Sequence, residues 1–301
     1  MPAKLSKPDN YYVRGRDLVL NEYTRPGKVG EIPMFLHQTW KSEVMKDKYK
    51  QSFDKWSELH PGFTHVLWTD EDNDLLVQTW FPQYLASYNW LPLIIQKTDF
   101  VRLMYLYRYG GIYADLDYEC YKSIPPNLPQ LCGFLAVESP FSMNECLQNS
   151  FMISEPGNPV VLEAMEIINK TVMDLRTKKY KGVDLKNRLY GPLLATFYTL
   201  GLTGPQVLDK AVTRVATKKR LEETKGYDQI HPAASAGKPL DVVRLNETFF
   251  KGPVAAHLQH NTWVADMPKK CMPLIGLASF ILIIFLLFII LVTYFATKHR
   301  H

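Results

Sequence analysis

Apolar residues occupy nearly every face of residues 91–109, with no glycine and no proline after Pro92. Such a pattern predicts a helix buried all round. Gly110-Gly111 ends it as capping glycines do, and Ile112-Tyr113-Ala114 has strand character. Upstream, 32–39 reads as a strand, and 42–60 reads as a helix with Phe53, Trp56 and Leu59 on one stripe, stopped by Pro61-Gly62. Residues 63–68 alternate as a second strand. Asp70 is placed to cap the helix that follows, with Asp72 and Asp74 in its acidic first turn. Residues 80–90 form an aromatic connection bounded by Pro82 and Pro92. Downstream, 131–137 is a strand with Glu138 at its end, and 160–176 is an amphipathic helix. Tyr190-Gly191-Pro192 and Thr203-Gly204-Pro205 are turns around a helix-length segment, and 213–225 is a charged surface stretch. No period of 20–50 residues repeats.

One stretch breaks this alternation. Residues 274–296 carry no charge and are rich in Ile, Leu and Phe, enough to span a bilayer as a single helix. The flanking charges balance, so they set no orientation. Residues 1–30 are polar, carry Pro2, Pro8 and Pro26, and lack the apolar centre of a signal peptide; an irregular arm is expected there. The expected organisation is thus an arm at 1–30, one catalytic domain at 31–265, and a membrane helix at 273–297 with a short basic tail. A chain of 301 residues with 47% hydrophobic content suits that division.

The net charge of +5 is spread, with no dense basic block, so nucleic acid is not expected as a partner. Cys120, Cys132, Cys146 and Cys271 show no C-x-x-C spacing and hence no zinc signature. A disulfide among the first three is compatible with an oxidising lumen. Asn169 and Asn246 head glycosylation sequons, compatible with the same compartment.

The candidate chemistry lies around the buried helix. Asp99 and Arg102 are three apart and share a face. In a buried helix each would be costly alone, so they read as a salt bridge, as ligand-contacting groups, or as both. Asp115 and Asp117 point the same way if the backbone stays extended. Two carboxylates that close favour a hard divalent cation, which would bridge to a phosphate. The alternative is a solvated turn, where Asp is common.

The run from Thr98-Asp99 through Arg102, Gly110-Gly111 and Tyr113 to Asp115-Leu116-Asp117 closely resembles the DXD region of glycosyltransferase family 32. Ile32-Pro33 with His37-Gln38-Thr39-Trp40 resembles that family's first strand. The resemblance implies a GT-A-like α/β fold, a mostly parallel sheet flanked by helices. It implies a retaining transfer dependent on Mn2+ or Mg2+, with Asp99, Arg102, Asp115 and Asp117 as the catalytic group. His37, Gln38, Trp40, Asp70, Asp99, Arg102, Tyr113 and Asp115 are then donor-binding, and Asn149 and Ser150 face the acceptor. For Trp40 core packing, for Asp70 helix capping, and for Asn149 and Ser150 a helix-cap role remain open. Asp115, Asp117 and His257, with His260 as the alternative, would hold the metal. The family further implies mannose from GDP-mannose, a lipid or glycan acceptor with inositol phosphoceramide nearest in type, a Golgi or endoplasmic reticulum membrane, and in some members a regulatory subunit. Competing readings are a glycoprotein hexosyltransferase, a metal-dependent hydrolase or nucleotidyltransferase, and a silent sugar-binding protein.

Overall fold

A computed structural model describes residues 12–21, 32–124, 133–138, 147–177, 199, 201–222, 242–245 and 255–257; within these, 137–138, 216–222, 242–245 and 255–257 are described by backbone alone. All of them belong to one of two compact units of the chain. In order they form β1 (Val13–Arg14), α1 (Gly15–Leu20), β2 (Phe35–Thr39), α2 (Asp47–Leu59), β3 (Thr64–Trp68), α3 (Asp70–Trp80), a 3-10 turn (Pro82–Tyr84), α4 (Leu85–Trp90), α5 (Ile94–Tyr109), β4 (Gly111–Ala114), β5 (Tyr118–Cys120), β6 (Phe134–Glu138), β7 (Leu147–Ser154), α6 (Pro159–Arg176), α7 (Pro205–Glu222), β8 (Val242–Leu245) and β9 (Ala255–His257).

Among the described residues the main sheet runs β1-β3-β2-β4-β7-β6-β8, and β5 pairs with β9 in a second ladder. β1, β3, β2 and β4 are mutually parallel, as are β6 and β8. Only β7 is reversed, antiparallel to both β4 and β6. The sheet is therefore mixed but mostly parallel, as the alternating strand and helix signals predict. The C-terminal ends of β2, β3 and β4 share one end of the sheet with the start of β7. Ligands in open α/β sheets collect at that end.

The two faces of β2 show why the helices pack as they do. Leu36 points to the side carrying Trp56 of α2, in a cluster with Ile112, Ala114, Leu135, Phe151 and Ile153. Phe35 and His37 point to the side of α5, where Trp68, Tyr105 and Tyr109 surround the imidazole. Trp68 and Tyr105 stack with ring centroids 4.3 Å apart. α5 buries Phe100, Val101, Leu103, Met104, Tyr105 and Leu106. Each large apolar side chain taken fully from water contributes about 1.5–3 kcal/mol. That sum is what lets the same helix carry a buried Asp99 and Arg102.

The turn from α5 into β4 requires glycine twice. Gly110 and Gly111 have φ of 65° and 96°. A Cβ on Gly111 would lie 2.6 Å from the Phe35 carbonyl oxygen, and one on Gly110 2.7 Å from Pro156 Cδ. Glycine alone allows β4 to lie this close beside β2.

Several expectations change. Thr69, not Asp70, caps α3: its side chain accepts the Asp72 N–H, and the Asp72 carboxylate accepts the Thr69 N–H. The reciprocal box needs the partner three residues on, which only Thr69 has. Residues 82–90 fold into the 3-10 turn and α4. Residues 13–20, expected within an irregular arm, form β1 and α1. Arg14 holds them there, donating to both Asp72 carboxylate oxygens at 3.0 and 2.9 Å and to Thr69 Oγ1 at 3.0 Å. Among the described residues no helix is long and apolar enough to cross a membrane. The run at 274–296 lies outside them, as do Cys132, Cys146, Cys271, Asn246, Gly191, Pro192 and His260. Cys120 is a buried free thiol whose pKa burial pushes up to about 12.

Candidate active site

Arg102 is the hub of the site. Its position on α5, three residues after Asp99, turns its guanidinium toward the end of β4 and the start of β7. Nη2 donates to Asp99 Oδ1 at 3.1 Å, while Nη1 lies 3.2 Å from Asp115 Oδ1 and 2.9 Å from the Asn149 carbonyl oxygen. Nε donates to the Thr98 carbonyl at 3.3 Å, and the guanidinium carbon sits 4.7 Å from the centroid of the Tyr113 ring. A buried cation is tolerable only when it is well partnered, and here each of the three guanidinium nitrogens has a partner. Burial alone would lower the Arg102 pKa, but Asp115, Tyr113 and Asp99 hold it above its usual value.

Asp99 is 5% exposed. Oδ1 accepts from Arg102 and from Asn149 Nδ2 at 2.9 Å, and Oδ2 accepts from Thr203 Oγ1 at 3.0 Å. Burial raises its pKa to about 6 against the opposing pull of Arg102 and Thr203. Its charge is therefore held by specific donors in a place that disfavours charge.

Asp115 and Asp117 do not sit on an extended strand. β4 ends at Ala114, and the Tyr118 N–H donates to the Asp115 carbonyl at 3.0 Å, closing a tight turn over Asp115-Leu116-Asp117-Tyr118. The same-face argument from an i, i+2 spacing fails for that reason. The turn is anchored from several sides. The Asp115 N–H donates to the Ser150 carbonyl at 2.8 Å, and Tyr113 OH donates to Asp115 Oδ1 at 2.5 Å. Trp56 Nε1 and Ser52 Oγ both donate to the Tyr118 carbonyl. Both carboxylates remain partly exposed, unlike Asp99.

β7 delivers Asn149 and Ser150. The helix-cap reading of this pair falls, because both lie in a strand and Asn158 caps α6 instead. Ser150 Oγ donates to Gln148 Oε1 at 2.8 Å and lies 3.2 Å from Tyr118 OH. β9 pairs with β5 so that His257 stands opposite Tyr118, one residue beyond Asp117. Among the described residues no group of three or more His, Cys, Asp and Glu side chains is arranged to hold a metal ion.

The other donor-side candidates sit apart from this hub. His37 is fully buried: Trp68 Nε1 donates to its Nδ1 at 3.1 Å, so Nε2 carries the proton and donates to the Gly110 carbonyl at 2.9 Å. Burial lowers its pKa to about 4, which keeps it neutral. With both nitrogens engaged, it joins β2 to the turn after α5. Gln38 is also buried, its Oε1 accepting from His65 Nε2 at 2.9 Å. Trp40 packs on Tyr49 with centroids 4.5 Å apart and donates to the Val44 carbonyl at 3.2 Å. Asp70 is half-buried at the first turn of α3, where desolvation and then Asp74 raise its pKa while Lys97 and Lys41 oppose them.

Residues 46–133 match the family described as the glycosyltransferase sugar-binding region containing the DXD motif. The chain carries that region. The match takes in Asp99, Arg102, Asp115 and Asp117, so the resemblance read from residues 98–117 stands. Among curated relatives, inositol phosphoceramide mannosyltransferase 3 of Schizosaccharomyces pombe is 33% identical over 149 residues, covering 50% of this chain and 40% of that protein. Mannosyl phosphorylinositol ceramide synthase SUR1 of Saccharomyces cerevisiae is 32% identical over 154 residues, covering 50% and 39%. The chain thus spans about two fifths of the length of these relatives. Among solved structures, the PaToxG glycosyltransferase overlaps at a TM-score of 0.45 and 16% identity, covering 64% of this chain and 74% of that one.

Thr203 was not legible as a site residue. Its T-G-P triplet reads from sequence as a plain turn or, by the family resemblance, as a glycine that lets backbone approach a ligand, and neither reading singles out the Thr203 hydroxyl, whose partner Asp99 lies 104 positions away.

Proposed function

We propose that this chain is a membrane-associated hexosyltransferase of GT-A type that moves mannose from GDP-mannose onto a hydroxyl of a lipid head group, inositol phosphoceramide. The observation that carries this is the pairing of buried Asp99 and Arg102 with the partly exposed Asp115 at the carboxyl end of a mostly parallel sheet. It lies within the matched sugar-binding region, and half of the chain resembles mannosyltransferases of that lipid. A Golgi or endoplasmic reticulum membrane and the uncharged run at 274–296 belong to the same reading, as does a regulatory subunit.

In this reading Asp115 and Asp117 supply the protein oxygens for Mn2+ or Mg2+, with His257 rather than His260 as the further ligand. Two carboxylates on one turn fit a hard cation that keeps waters and substrate phosphates as its remaining ligands. When bound, the cation neutralises charge that develops on the departing nucleoside diphosphate. Asp99 accepts from hydroxyls of the donor sugar. Arg102 locks Asp99 and Asp115 in fixed relation and places positive charge beside the leaving group. Asn149 and Ser150 line the side from which the acceptor hydroxyl enters. Retention then proceeds on the front face of the sugar, assisted by the leaving phosphate, and needs no covalent nucleophile.

The test supplies GDP-mannose, inositol phosphoceramide and Mn2+ to membranes carrying the chain and reads the lipids by mass spectrometry. A gain of one hexose, abolished by Asp117→Ala, is the expected result. GDP and free mannose without a glycolipid would overturn the acceptor. Full activity of Asp117→Ala would overturn the metal assignment.

A further inference from the structure

The geometry points to Thr203 as the positioning residue that leaves Asp99 one free acceptor site, so that the buried carboxylate reads a single hydroxyl of the donor sugar. This rests on the proposed transferase function and deepens it.

An ionised carboxylate offers about four acceptor sites on its two oxygens. Among the described residues three are taken in Asp99, two on Oδ1 by Arg102 and Asn149 and one on Oδ2 by Thr203. Asp99 is 5% exposed, and the remaining site on Oδ2 is the one assigned to the ligand. Arg102 and Asn149 alone would fix one oxygen and leave the other with two open sites. Thr203 removes that freedom.

Its own placement is over-determined. Thr203 is 2% exposed and lies four residues after Thr199, so the two share a helical face. Gln96 Nε2, one turn before Asp99, donates to Thr199 Oγ1 at 3.1 Å. Two rungs, Gln96–Thr199 and Asp99–Thr203, therefore bind the start of α5 to this segment. The N–H groups of Thr203 and Gly204 both donate to the Thr199 carbonyl, at 3.1 and 2.9 Å. Gly204 and Pro205 then turn the chain directly into α7. The Thr203 hydroxyl lies 3.5 Å from the Thr199 carbonyl and 3.0 Å from the carboxylate, so the charged acceptor takes its proton.

The experiment measures binding of GDP-mannose and of GDP alone, both with Mn2+, by titration calorimetry on the full chain in detergent. Thr203→Val keeps the shape and removes the donor; Thr203→Ser keeps the donor. Without the Thr203 bond Oδ2 is no longer held in place, so Thr203→Val weakens GDP-mannose by roughly 10-fold, the worth of one charge-assisted hydrogen bond to the sugar. GDP binding stays at the wild-type value, and Thr203→Ser stays close to wild type for both ligands. A merely structural role would move both ligands together, or spare both, and either result overturns the inference. A wild-type chain that binds neither GDP-mannose nor GDP with Mn2+ overturns the transferase reading itself, which separates the two failures.

Discussion

Replacing Arg102 by methionine should cost stability in a way that depends on pH. The substitution keeps most of the side-chain volume and removes the one cation between Asp99 and Asp115. Asp99 keeps its bonds from Asn149 and Thr203, but its charge then lies buried without the Arg102 counter-ion. Removing one partner of a buried pair typically costs about 3–5 kcal/mol. The sign with pH follows from Asp99. Its carboxyl already sits at about 6, above its ordinary value of 3.8, because burial penalises the charge. A raised folded-state pKa means the native chain binds more protons than the unfolded one, so stability falls as pH rises through that window. Without Arg102 the carboxyl moves higher still. The variant's deficit should therefore be smallest near pH 5, where Asp99 is mostly protonated in both proteins, and grow by up to about 3 kcal/mol by pH 8. Equilibrium denaturation of wild type and variant at pH 5, 6, 7 and 8 measures this. Asp99→Asn combined with Arg102→Met should recover much of the loss at pH 8. A deficit equal at pH 5 and pH 8, or below about 1 kcal/mol at pH 8, would refute the argument that a buried charge is what Arg102 compensates.

Gly111→Ala should lose at least about 3 kcal/mol, from backbone strain at φ 96° and from the contact with the Phe35 carbonyl oxygen. Transfer activity should fall with it, since β4 carries Asp115; a melting temperature unchanged from wild type would contradict this. Acid should destabilise the fold through His37, whose pKa falls from 6.5 to about 4 on burial. That stability is complete above pH 6.5 and lost as pH falls toward 4, on the order of 3 kcal/mol; denaturant midpoints of wild type and His37→Gln should converge over that range. Asn169 should carry no glycan, because it lies within α6 and its amide oxygen accepts from Ser87 Oγ. A glycosylated tryptic peptide spanning it would show otherwise.

Much of this was readable in the residues. The 91–109 pattern located α5 because burial on all sides leaves no polar stripe to interrupt it. Gly110-Gly111 located the turn because nothing else fits between Phe35 and Pro156. Asp99 and Arg102 were legible as a pair because helical spacing is local. The geometry of Asp115 and Asp117 was not, since two residues cannot specify whether a strand continues or turns. The hydrogen bond from Tyr118 decides it, helped by Trp56 and Ser52 from a distant helix. His37 reads from its place at a strand end as a ligand residue; the indole donor and the carbonyl that engage its two nitrogens come from segments that the sequence does not place beside it. Thr203 escaped for the opposite reason, its partner being set only by the packing of two segments far apart in the chain.

The short strand at residues 13–14 has a meaning beyond its size. It lies along the outer flank of Val66 and Leu67. Without it, β3 would offer a row of unpaired amides and carbonyls beside Val66, Leu67 and Trp68, a template on which a second chain could extend the sheet. What keeps this guard in place is partly apolar, through buried Val13, Leu18 and Val19, and partly ionic: Arg14 grips Asp72 across 58 positions of sequence and also meets Glu43. The cover on this edge thus leans on one arginine as well as on apolar packing. Loosening that grip would leave the interior folded while baring an adhesive edge, and the first symptom would be self-association, not melting.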